Sequence, residues 1–175
     1  MRKSAMALIL AASALPAHGL EPGWHYSPLP GEGDRASLGC DRQADDQAFT
    51  CLAVRCEDDF STGLYIHSSR YPDALGRWDL TIDKENFTVE AQAAAAPYSA
   101  RIGGDVAALA DRLALGGFVY IRHAEDNAAP FAAIDLAGSL RAMTEALYWC
   151  APRMGPAERN ASPGVVPHTD NGDKQ

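Results

Sequence analysis

The chain has 175 residues, a length that suits one domain, with 15 Lys and Arg against 23 Asp and Glu and a formal charge of −8. A nucleic-acid binder needs a basic footprint to displace counterions, and attachment to anionic lipid heads needs positive charge as well. The acidic balance argues against both and reads as a contribution to solubility.

The N-terminal stretch MRKSAMALILAASALPAHG joins a basic start at Arg2 and Lys3 to an apolar run from Ala5 to Ala12 and a small-residue end. It reads as a secretory signal peptide over residues 1–19, cleaved after Gly19, with an apolar run too short to span a membrane. Removing it leaves 13 basic residues against 23 acidic ones, near −10. No later segment is long and apolar enough for a membrane span. Four cysteines in a chain bound for an oxidising compartment point to two disulfides.

From residue 20 to about 76 the signals are short strands and turns. GWHYS opens, RASLGC and FTCLAVRC follow, EDDFSTG is a loop, LYIHSS a strand and RYPDALG a second loop. RWDLTID alternates Trp78, Leu80 and Ile82 against Asp79, Thr81 and Asp83; after a turn at KEN, FTVEA alternates Phe87, Val89 and Ala91. Such runs joined by short polar turns are antiparallel hairpins. AQAAAAPYSARIGG reads as a loop leading to a short strand. The period then changes: Val106, Leu109, Ala110 and Leu113 fit a helix, with Asp105 as N-cap and Gly116–Gly117 as its stop. FVYIRHA and FAAIDL are strands around the turn EDNAAP. A second amphipathic helix follows, its stripe read as Leu136, Leu140, Met143, Leu147 and Cys150. Residues 20–152 form one domain, and 153–175, rich in Pro, Gly, Asn and Asp, read as a disordered tail. The expected fold is α+β: a β-rich antiparallel sheet, sandwich-like, with two helices packed on one face and two disulfides.

Strand parity pairs the cysteines. In FTCLAVRC, Thr50, Leu52, Val54 and Cys56 share one face, and Cys51, Ala53 and Arg55 the other. Cys56 thus faces the core beside Leu52 and Val54, where the helix cysteine Cys150 also points. Cys40 is left for Cys51 across a short connection. The spacing is neither Cys-x-x-Cys nor a zinc pattern.

No set of residues announces catalysis. The serines sit in no nucleophile elbow, GEGD lacks the strand–turn–helix context of a phosphate loop, and His25, His67 and His123 have no metal-pair spacing. We therefore expect no catalytic residues, metal or cofactor. Arg55, Tyr65, His67, Tyr120 and Arg122 all have outward parity on candidate strands, and Tyr and Arg are favoured at interaction hot spots. They form the candidate partner-binding face.

The segment from Cys51 to Cys150 resembles the VasI-type accessory proteins associated with type VI secretion. The matching stretches are LAVRCEDDFSTGLYI, RWDLTID, VAALADRLALGGFVYIRH and AAIDLAGSLRAMTEALYWC. The resemblance implies a small exported envelope protein without established catalysis, and carries over Arg55, Cys56, Gly138 and Cys150 as structural positions. A weaker likeness is to exported proteins of the invasion-associated locus B type. The expected function is a non-catalytic binding or accessory module, periplasmic or secreted, with an envelope or secreted protein as partner. The alternatives are a periplasmic enzyme acting on cell-wall material and an inhibitor of a lysozyme or protease.

Overall fold

The strand order β1-β2-β3-β4-β7-β6-β5-β8-β9 describes a single nine-stranded sheet, antiparallel at every pairing, in a computed structural model that describes residues 22–27, 36–71, 73–126, 128 and 130–150. The expected signal peptide and C-terminal tail lie outside the described residues. The strands are β1 (Gly23–Ser27), β2 (Ala36–Cys40), β3 (Thr50–Cys56), β4 (Thr62–Ser68), β5 (Gly76–Ile82), β6 (Glu85–Ala93), β7 (Ala100–Ile102), β8 (Phe118–His123) and β9 (Ala132–Asp135). Among the described residues there are two α-helices, α1 (Val106–Leu115) and α2 (Ser139–Ala146), and a 3₁₀ turn at Tyr148–Cys150. The molecule is thus the β-rich α+β arrangement the residue pattern implies. Among the described residues no helix is long and apolar enough to cross a membrane.

The alternation sets the layers. Trp78, Leu80 and Ile82 of β5 are buried while Asp79 and Thr81 point outward, and Val119 and Ile121 of β8 repeat the pattern. With Leu52 and Val54 of β3 and Leu64 and Ile66 of β4 they build the main core on the inner face. Each such side chain taken fully out of water contributes about 1.5–3 kcal/mol. Helix α1 closes this face with Leu109, Ala110 and Leu113. Its first turn is capped by the Asp105 carboxylate, which accepts from the Ala108 N–H at 3.2 Å.

The second helix buries a different stripe from the one its leucines suggest. Ser139, Ala142, Met143 and Ala146 are buried, whereas Leu140 is exposed. Leu136 is buried, but it precedes the helix. The reason is the closeness of neighbours: α2 lies against β1, β2, β3 and α1, where small side chains permit approach. The Ser139 hydroxyl donates to the carbonyls of Leu113 and Ala114 at 2.8 and 3.2 Å, satisfying backbone groups that the end of α1 leaves without helical partners. Gly138 enters the helix with φ of 87°, a conformation costly for a residue with a Cβ.

Both faces of β2, β3 and β4 are covered. The outer face, on which parity places the candidate partner-binding residues of β3 and β4, carries a second apolar cluster that includes Leu38, Cys40, Cys51, Ala53, Tyr65 and Tyr98. Cys40 and Cys51 are direct cross-strand partners and are bonded; Cys56 is bonded to Cys150, closing a separation of 94 residues.

The sheet also curls. Just past β2, Asp41 forms an antiparallel bridge with Ile134 of β9, and the Arg42 N–H donates to the Ala133 carbonyl at 2.9 Å. Strands remote in sheet order meet at this seam.

Candidate functional site

The seam holds the recess of greatest chemical interest. It is a cleft of about 360 Å³ between the segment after β2, the loop after β4, and β8–β9. Its floor is Trp78, Ile121 and Ala132, from the inner core; Phe131 and Tyr71 stand beside it. Three arginines, Arg42, Arg70 and Arg122, also line it, opposed by one carboxylate, Asp41.

Asp41 is the anchor. Its residue is 3% exposed, and its oxygens accept from the Gln43 and Thr50 N–H groups at 2.9 and 2.8 Å and from Arg70 Nη1 at 2.8 Å. A carboxylate removed from water needs such donors. Arg70 Nη1 also reaches the Thr50 hydroxyl at 3.3 Å. A guanidinium has five N–H donors, so this engagement uses only part of its fork.

Arg122, from β8, also lines the recess. Its guanidinium carbon is 4.4 Å from the centroid of the Phe131 ring, and Nη2 is 3.8 Å from the Asp79 carboxylate. Its Nε is buried and finds no hydrogen-bond partner among the described residues. Arg42 sits 5.0 Å over the Phe118 ring. Both arginines therefore have an aromatic face within cation–π distance.

Tyr71 and Trp78 of the lining form an aromatic group with His123. His123 stacks on Tyr71 at 5.5 Å, and Trp78 meets both edge-on. Nε2 of His123 is 2.7 Å from the Leu75 carbonyl; a carbonyl only accepts, so this nitrogen carries the proton. The Tyr71 hydroxyl donates to Asp126 at 3.0 Å. Burial first, and that bond second, raise its pKa above the ordinary phenol value.

The expected partner-binding face is not one face. Arg55, Tyr65 and His67 belong to β3 and β4, whereas Tyr120 and Arg122 belong to β8, with β7, β6 and β5 between them. Tyr65 is 7% exposed, stacked on Tyr98 at 4.3 Å. Its hydroxyl donates to Glu57 at 2.6 Å, and Glu57 also accepts from Arg101 Nε at 3.1 Å. Burial, then the Glu57 bond, push the Tyr65 phenol up to about 12; the Glu57 bond raises Arg101 as well. His67 packs between Phe49 and Tyr98, and burial lowers its pKa. Arg55 is partly buried opposite Gly63. Outward parity failed as a guide to exposure because the 94–99 loop and Phe49 roof this side of the sheet. Tyr120 is exposed, whereas the Arg122 side chain is only 23% exposed.

Asp41, Arg42, Arg70, Tyr71 and Phe131 escaped the sequence reading. All lie at strand ends or in loops, where no periodicity marks them. Among the described residues no three His, Cys, Asp or Glu side chains gather as a metal site requires. No protein-family model, curated protein or solved structure matches this chain.

Proposed function

We propose that the chain is an exported, non-catalytic binding module of the bacterial envelope, in its most specific form an accessory protein of a secretion system, acting through the β8–β9 end of the sheet. The observation that carries this reading is the preformed recess at the seam. Its arginines and aromatic rings are residue types favoured in recognition, and they project from a curled, disulfide-stapled sheet. A rigid scaffold lowers the ordering cost of binding. The two disulfides support the oxidising compartment that a signal peptide at the N-terminus would imply.

The test is crosslinking in the native envelope with oxidised chain from Leu20 onward, read by mass spectrometry. One recurrent protein partner, lost in the Tyr120→Ala/Arg122→Ala double variant, is the expected result. Turnover of cell-wall material by the purified chain, without such a partner, would overturn the reading in favour of an enzyme.

A further inference from the structure

The recess has a sign of charge opposite to that of the chain. Three arginines and one aspartate line it, whereas the whole sequence has a formal charge of −8. A cleft of one sign with low-dielectric walls focuses the field and concentrates counter-ions. The positive charge is also only partly neutralised from within: Arg70 is paired with Asp41 at 2.8 Å, while Arg122 stands 3.8 Å from Asp79. Arg122 is largely withdrawn from solvent, its side chain 23% exposed, and its Nε is buried without a hydrogen-bond partner among the described residues.

The rest of the lining is apolar. Trp78, Ile121 and Ala132 form the floor, and the Phe131 ring is 44% exposed beside the Arg122 guanidinium. The volume of about 360 Å³ falls at the low end for small-molecule sites, which join an apolar lining to a few placed polar groups.

We infer that the seam recess binds a small organic anion, with a carboxylate or phosphate head held between Arg70 and Arg122 and an apolar, ring-sized body against Trp78, Ile121 and Phe131. This rests on the binding-module reading and names the ligand chemistry of that site. The planar forks of the two arginines match either head group, and the aromatic floor selects for the body. Arg42, also on the lining, adds positive charge.

The experiment titrates oxidised chain from Leu20 onward with phenyl phosphate, benzoate, inorganic phosphate and benzyl alcohol, following heat and tryptophan fluorescence. Saturable binding of one phenyl phosphate or benzoate per chain is expected, weakening as salt is added. Arg122→Gln should weaken it roughly ten- to hundredfold, the loss of one charge-assisted contact. Arg141→Gln, which removes the same charge from an 88% exposed site on α2, should change it less than about twofold. Arg70 is left intact because it also holds Asp41. Benzyl alcohol binding as well as benzoate would overturn the anionic head. Inorganic phosphate binding as well as phenyl phosphate would overturn the apolar body. A folded chain that binds none of the four overturns the whole inference, yet leaves the binding-module reading standing if the crosslinked partner is still found.

Discussion

Arg70 Nη1 lies 2.8 Å from Oδ2 of Asp41, joining the loop after β4 to the residue that bridges β2 to β9. The carboxylate is buried and the arginine about a third exposed, so the pair is an anchor for a withdrawn charge more than a surface contact. Arg70→Ala should cost about 2–3 kcal/mol in urea unfolding, below the range for a fully buried pair because water can reach the vacated side. Arg70→Lys should recover only part, since an ammonium cannot reproduce the fork. A loss below about 0.5 kcal/mol would show that the seam does not depend on this contact.

Gly39 in β2 lies beneath the Trp24 ring, and a Cβ there would overlap it. Trp24 is itself held by its indole N–H, which donates to the Ser37 hydroxyl. Gly39→Ala should destabilise the chain by about 1–3 kcal/mol, the range for overpacking. Adding Trp24→Leu should make the pair of changes less costly than their sum, a coupling readable in a double-mutant cycle. Additive losses would count against the contact.

His67 supplies a pH signature. Burial lowers its folded-state pKa from the ordinary 6.5, so the unfolded chain takes up this proton more readily. Stability from the neutral imidazole is then present above pH 6.5 and lost as pH falls through the lower folded value. His67→Gln should flatten that part of the profile between pH 7.5 and 5, measured as the difference in urea midpoint between variant and parent. Parallel profiles would place His67 in water.

Tyr65 has the opposite sense. Its folded pKa, about 12, stands above the ordinary 10, so the stability it gives is complete below pH 10 and lost as pH rises through about 12. Tyr65→Phe should lose stability at neutral pH, where Glu57 and Arg101 lose a bonded neighbour, but fall less steeply above pH 10. Equal alkaline slopes would refute the assignment.

The two disulfides differ in what they constrain. Cys56–Cys150 closes a separation of 94 residues and Cys40–Cys51 one of 11. In the chain-entropy model these contribute about 4.7 and 2.8 kcal/mol. Replacing Cys56 and Cys150 by Ser should therefore lower stability more than replacing Cys40 and Cys51, by about 2 kcal/mol in guanidinium unfolding. The reverse order would mean that native packing around the short link outweighs unfolded-chain entropy.

Much of the local structure follows from the sequence alone. Period-two alternation places Trp78, Leu80 and Ile82 inward because a strand has two faces, and the Asp105 cap and Gly116 frame α1 because helix ends need those partners. Parity leads to the same cysteine pairing that the structure holds, since side chains on opposite faces cannot meet. The hairpins between successive strands are legible for the same local reason. What only the tertiary structure decided is non-local: the insertion of β7 between β4 and β6, the pairing of β5 with β8, and the bridge of Asp41 to Ile134. Each joins segments remote in sequence, through backbone hydrogen bonds that carry no residue signature. Burial of Tyr65 beneath Tyr98, exposure of Leu140, and the gathering of Arg42, Arg70 and Arg122 around one cleft all depend on those long-range choices. Alternation states which side of a strand a residue takes; only packing states whether something covers it.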